Sequence, residues 1–371
     1  MTISVTAFGW HFGSISYDYE IVGIQDFSFT EGRSTIADPI GGGVLNMTFL
    51  AANNGEAVVG DRVKFNLVVD GTEKLLQHGF ITDIELVYNQ TQALDIYRVT
   101  VADALSLAMS ASVGPGQLEL STDTAFQAYN TLLYGFIPRV TPAPGKSTAS
   151  AWSSPINVGD RVQQLLNTEQ GGWAIDSSAQ LKILPRNINA AIIDGFSTTP
   201  ADYQATYWRS TDWSAGSFSR TYYNRVIVEP EGLTAQEADG GGISPRSTLT
   251  IKTADATTTQ ANDLADYLLA TFDYDGEAII EIGCSLDQNM DTYSAVHKGK
   301  ALVDLSPKSR PVIKNKFRGT TSYGLVLGRS VSGAIGQVTR FRFQLAPQQA
   351  LSFLVLDDSV LGQLNYNKLG F

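Results

Sequence analysis

Strict alternation of apolar and polar residues constrains this chain more than any other feature. Val63, Phe65, Leu67 and Val69 alternate with Lys64, Asn66, Val68 and Asp70. A period of two matches a strand, whose successive side chains point to opposite faces. Asp70-Gly71 follows as a hairpin turn, and Gly79–Tyr88 reads as a long β segment. Tyr97, Val99 and Val101 then turn inward, with Arg98 and Thr100 outward. Asp103 stands where it would cap a short helix running through Met109. The first roughly 110 residues thus predict a compact antiparallel β domain, a barrel closed by that helix.

The centre follows a different period. Ala125, Tyr129, Leu132, Leu133 and Phe136 fall at helical spacing within residues 121–136, with Ser121 or Thr124 as N-cap candidates. Pro138–Pro155 is rich in Pro, Ser, Thr and Gly and can hold little regular structure. A second helix is expected over Val158–Asn167, with Val162, Leu165 and Leu166 on one face, ended by Gly171-Gly172. Trp173-Ala-Ile and Gln180–Leu184 read as a small hairpin, so the segment is an α/β insert. Beyond Tyr222 the strand pattern returns over 225–229, 247–251, 278–286, 300–305, 323–327 and 338–345. In the last of these, Thr339, Phe341, Phe343 and Leu345 point inward. One helix interrupts, with Ala261, Leu264, Ala265, Leu268, Leu269 and Phe272 as its apolar stripe.

At 371 residues the chain is long enough for two or three domains, and 43% apolar residues supply real cores. Charged residues are only 17%, which points to surface covered by subunit contacts. A net charge of −11 excludes a phosphate-backbone grip, which depends on Lys and Arg. No apolar run reaches the length of a transmembrane helix, and Met1–Trp10 lacks the basic start of a signal peptide. The expected chain is soluble and made in a cytoplasm.

No catalytic, cofactor-binding or metal site emerges. The lone Cys284 excludes a disulfide framework, and its apolar run 280–286 makes it a buried, inert thiol. His11, His78 and His297 are far apart and form no ligand pattern. The glycine runs Gly41–Gly43 and Gly240–Gly242 lack the Lys-Ser/Thr of a phosphate loop and read as flexible loops. Asp273-Tyr-Asp275-Gly276-Glu277 resembles part of a calcium loop, but a strand follows where the bidentate Glu belongs. Adjacent Asp357-Asp358 would point to opposite faces of a strand, a poor acid–base pair. Trp208, Trp213, Tyr222 and Tyr223 could stack on sugars, but scattered aromatics more commonly pack in cores.

Three stretches together carry a family resemblance. The first is the ending Phe353-Leu-Val-Leu-Asp357-Asp358-Ser-Val-Leu-Gly362-Gln-Leu-Asn365-Tyr-Asn-Lys-Leu369-Gly-Phe371. The second runs from Asp26-Phe-Ser-Phe-Thr-Glu-Gly-Arg33 through Val44-Leu-Asn-Met-Thr-Phe and Val59-Gly-Asp-Arg-Val63 to Gly79-Phe-Ile-Thr-Asp83. The third joins Leu165-Leu-Asn to Gly-Gly-Trp173-Ala-Ile-Asp and Leu-Lys-Ile-Leu-Pro-Arg186. In order and spacing they resemble minor tail proteins of long-tailed, non-contractile bacteriophages of actinobacterial hosts. The stretch Ala51–Val58 is shorter than the family's pattern.

That resemblance implies a mainly β fold with an α/β insert, in which two hub-type antiparallel β-barrel domains flank a small mixed domain. The domains are expected at 1–112, 113–217 and 218–356, the last with an inserted helix at about 257–272, followed by a C-terminal extension, 357–371. It implies a non-enzymatic hub at the virion's tail tip, a homotrimer whose six barrels adapt a sixfold tail end to a threefold tip or fibre. Partners would be a distal tail protein or the tail-tube hexamer, tip, fibre or other minor tail proteins, and the tape measure protein. Genomic DNA would pass through the lumen without specific binding, repelled by its acidic wall. No cofactor and no membrane insertion are implied. The alternative is a receptor-binding tail protein holding cell-wall glycans with its aromatics or the Pro138–Pro155 loop.

Overall fold

The computed structural model describes residues 4–10, 16–17, 21–35, 37–52, 58–69, 72–87, 94–113, 122–151, 156–176, 178–184, 192–197, 208–209, 212–216, 223–241, 247–272, 278–285, 302–307, 309–315, 320–334 and 337–347. Strands dominate, as the alternation requires, and the fold is mainly β with a mixed insert.

Both ends of the sequence feed one curled sheet of fourteen strands. The N-terminal part runs antiparallel from Ser4–Trp10 through Arg62–Val69, Thr72–Val87, Leu94–Ala102 and Gly41–Ala52 to Ile21–Gly32. Val69 pairs with Thr72 across Asp70-Gly71, as expected of a two-residue hairpin connection. Ile21–Gly32 then pairs antiparallel with Thr320–Ala334, which brings in the C-terminal strands Arg310–Asn315, Arg340–Pro347 and Ala278–Ser285. A single apolar core follows from that join. Phe27, Phe29, Leu45 and Phe65 from one end pack in the same cluster as Ile282, Phe341, Phe343 and Leu345 from the other. Each fully buried Phe or Leu contributes about 1.5–3 kcal/mol relative to exposure.

Two strand expectations need correction. Asn66, one of the polar alternates, is buried rather than exposed. Residues 302–304 form a helical turn in place of the expected strand over 300–305. The guanidinium of Arg329 accounts for that turn: its Nη1 donates to the carbonyls of Val303 and Leu305. Leu302, Val303 and Leu305 still reach the core.

Three helices share a second core: α1 (Ala104–Ser110), which precedes the insert, and α2 (Thr124–Tyr134) and α3 (Val158–Glu169) within it. Asp103 caps α1 as expected, accepting from the Ser106 amide. For α2 the cap is Asp123, neither Ser121 nor Thr124. Its carboxylate accepts from the Ala125 and Phe126 amides, while the Thr124 hydroxyl turns to Glu169. The hairpin Gly172–Ile175/Leu181–Leu184 forms as expected, and Arg139–Val140 adds a parallel third strand beside Leu181. Val162, Leu165 and Leu166 fill that core with Leu132 and Leu105.

Helix α4 (Thr258–Phe272) covers a separate three-stranded sheet, Gln236–Asp239, Arg225–Pro230 and Thr248–Thr253. Its Arg225–Pro230/Thr248–Thr253 pair is parallel, a crossover that alternation alone does not reveal.

Candidate functional site

The glycine run Gly41–Gly43 is part of the strand Gly41–Ala52, not a flexible loop. The Gly43 amide donates to Asp103 Oδ2 at 2.6 Å, and the Ser106 amide donates to Oδ1 at 2.8 Å. A Cβ on Gly42 would collide with the Asp103 carboxylate and Ser106. Glycine is therefore needed for close approach of strand and helix start, with no phosphate involved. In the second run, Gly240 and Gly241 are exposed, and Gly242 lies outside the described residues.

Burial pushes the Asp103 carboxyl up to about 6, against the pull of its two amide donors. A raised folded-state value means that the folded chain holds this proton more tightly than the unfolded chain. Its contribution to stability is then greatest in acid, falls as pH rises from 3.8 to about 6, and is level above. Relative to Asp103→Asn, wild-type unfolding free energy should drop by roughly 3 kcal/mol across that window. Urea titrations at successive pH values measure it; parallel curves for the two proteins would contradict it.

Cys284 is buried in the main core, and burial pushes its thiol strongly upward. It should react with an aromatic disulfide reagent only on unfolding, and fast labelling of the native chain would contradict the placement. Tyr223 packs in the α4 core. The side chains of Trp208, Trp213 and Tyr222, with His11, His297, Asp273–Glu277, Asp357-Asp358 and residues 348–371, lie outside the described residues. Among the described residues, no three His, Cys, Asp or Glu side chains cluster as metal ligands would.

The Pro138–Pro155 segment is irregular but tied down over its described part, 138–151. The Glu169 carboxylate accepts from the Thr124 hydroxyl at 2.6 Å, from Ser147 N at 2.9 Å and from Lys146 N. Asp123 accepts from Gly145 N at 2.8 Å, and Gln127 Nε2 donates to Ala149 O at 3.1 Å. The Gly145, Lys146 and Ser147 amides are thus used by these two carboxylates.

The feature that sequence reasoning missed is a cleft of about 220 Å³ where the sheet, the insert hairpin and the 302–307 turn meet. Glu31 and Arg329 stand directly opposite each other in the register of Ile21–Gly32 and Thr320–Ala334, and their side chains form a salt bridge. Arg329 also lies 5.5 Å from the Phe29 ring centroid, which lets the cation use the ring face. Lys74 and Asp304 pair beside them. His78 is buried in the wall, and neither ring nitrogen makes a hydrogen bond of normal geometry among the described residues. Burial, with Lys64 and Arg62 nearby, holds its imidazole below the usual value, although the Asp176 backbone favours protonation. No local motif marks this cleft, because its walls come from five distant segments.

Comparison with known proteins bears on the whole architecture. No family model matches the chain, and no curated protein matches it. Solved structures do. A tail protein from Neisseria meningitidis superposes with a TM-score of 0.62 at 10% identity, covering 94% of this chain and 97% of that one. The 43 kDa tail protein of prophage MuSo2 from Shewanella oneidensis gives 0.57 at 10% identity, covering 93% and 97%. The E. coli c3393 protein, a type VI secretion component similar in structure to the T4 phage tail proteins gp27 and gp5, gives 0.51 at 12% identity, covering 90% and 78%. This chain has the fold of phage tail proteins.

Proposed function

We propose that this chain is a structural protein of a phage tail, placed at the tail tip as a non-enzymatic hub. The observation that carries the reading is the span of the likeness, over nine-tenths of this chain and of both tail proteins from Neisseria and Shewanella. A shared barrel alone would match a fraction of each chain; here the sheet, the insert and the α4 layer are matched together.

In this reading two β-rich domains, 1–112 and 218–356, flank the insert 113–217 and precede an extension, 357–371. Three protomers close a ring in which six such domains meet a sixfold tail tube or distal tail protein, and a threefold tip or fibre follows below. Heterologous contacts that close around an axis make such a ring without growing into a fibre. A net charge of −11 lets DNA slide through without capture. The resemblance to actinobacteriophage tails makes the virion of a long, non-contractile phage the expected setting. Sedimentation equilibrium of the purified chain should give a trimer. A monomer at every concentration reached would overturn the ring.

A further inference from the structure

We propose that His78 is an acid-sensitive latch: uncharged, it lets the strand Gly172–Ile175 of the insert hairpin lie against Thr72–Val87, and protonation releases that strand. The inference stands apart from the ring reading and rests on the setting of one side chain. His78 is 5% exposed, and neither Nδ1 nor Nε2 makes a hydrogen bond of normal geometry among the described residues. A buried imidazole in that position is tolerable while uncharged; a buried cation without a partner is far more costly.

The groups around His78 leave a charged ring no ready counter-ion. On its own sheet Lys64 stands directly opposite in the register, and Arg62 is near; both oppose a further positive charge. In the cleft that His78 lines, Glu31 is committed to Arg329 and Asp304 to Lys74. Across the cleft the hairpin brings Trp173, Ala174 and Ile175, followed by Asp176, whose backbone and charge both favour a protonated ring. That carboxylate already clamps the hairpin turn, since its Oδ1 accepts from the Ser178 and Gln180 amides, each at 2.8 Å. Asp176 cannot turn fully to His78 without giving up the turn. Burial outweighs it, and the imidazole is held below its usual value.

Linkage gives the direction of the switch. The docked strand favours the uncharged ring, so its hold is complete above the ordinary value of 6.5 and weakens as pH falls from there through the lowered one. Moving Gly172–Ile175 away admits water to the ring and leaves the pairing of His78 with Lys64 intact. Gly172–Ile175 is also an edge strand of its small sheet, so it can part from the cleft while Leu181 and Ile183 stay in the insert core.

Hydrogen exchange of the Gly172–Ile175 amides measures the release. Corrected for the intrinsic rate, opening should rise by up to about tenfold for each pH unit below 6.5 and level off once the ring is fully charged. In His78→Gln, which keeps a polar side chain but takes up no proton, it should not change with pH. Asp103 is common to both proteins, so its opposite pH dependence cancels in the comparison. A second measurement leaves position 78 untouched. With His11→Gln and His297→Gln in place, His78 is the one histidine left, and its ring-proton NMR signal should titrate below 6.5. Adding Lys64→Gln should raise that midpoint, since a facing cation is gone. A midpoint at or above 6.5, or equal acid-driven exchange in His78→Gln, would overturn the latch and leave the tail reading untouched.

Discussion

Arg329→Met is expected to lower the unfolding free energy by about 3–5 kcal/mol, the cost of stranding one member of a buried ion pair. The methionine stem retains much of the packing over Phe29, so the loss reports the charge and its hydrogen bonds. Glu31 would remain, 15% exposed, without its partner, and the carbonyls of Val303 and Leu305 would lose a donor. The damage should extend beyond one contact, because Arg329 has two structural roles. It bridges the strands that join the two ends of the chain, and it folds residues 302–304 into a turn over the core. Urea unfolding measures the loss. The double variant Arg329→Met/Glu31→Met should recover much of it, since a matched apolar pair replaces a buried ion pair at little cost. No recovery would show that the carbonyl contacts, rather than the ion pair, carry the effect.

Arg161→Met should cost about 3 kcal/mol and loosen the insert selectively. This guanidinium is fully buried yet reaches four separate places. Nη1 donates to Glu231 Oε2 at 3.0 Å and to Gln164 Oε1 at 3.2 Å. Nη2 donates to Gln127 Oε1 at 3.0 Å and to the Ser150 carbonyl. It therefore ties α3 to α2, to the tethered 138–151 segment and to the turn that follows the strand Arg225–Pro230. Glu231 is 31% exposed and can turn to water, whereas buried Gln127 cannot, so the penalty falls within the insert. Limited proteolysis should then cut first within 138–151, whereas the same segment should resist cleavage in wild type. Unchanged protection with lowered global stability would contradict the assignment of Arg161 as that segment's anchor.

What the sequence disclosed and what it withheld divide along physical lines. Alternation at Tyr97, Val99 and Val101, and again at Phe341, Phe343 and Leu345, located core strands because one face of each is buried. The α1 cap at Asp103 was legible because capping is local chemistry between residues three apart. The α2 cap was misplaced by one or two positions, since Ser121, Asp123 and Thr124 are all competent caps and Glu169 decides by claiming Thr124. The burial of Asn66 was not legible, because alternation reports which face of a strand meets the apolar core and not whether the other face is also covered. The 302–304 turn depends on a guanidinium supplied from another strand. The pairing of Ile21–Gly32 with Thr320–Ala334 joins distant parts of the sequence, and nothing in either strand names its neighbour. Glu31 and Arg329 share that fate, so the cleft was invisible. The C-terminal stretch that carried the strongest resemblance lies outside the described residues, and the fold likeness reaches phage tail proteins by an independent route.

A reconstruction of the tail tip of the phage that carries this chain tests the central claim most directly. The account predicts three copies in a closed ring below the tail tube, with Asp and Glu side chains facing the lumen. A tip without this chain, or one in which it hangs outside the axis as separate monomers around a basic lumen, would contradict it.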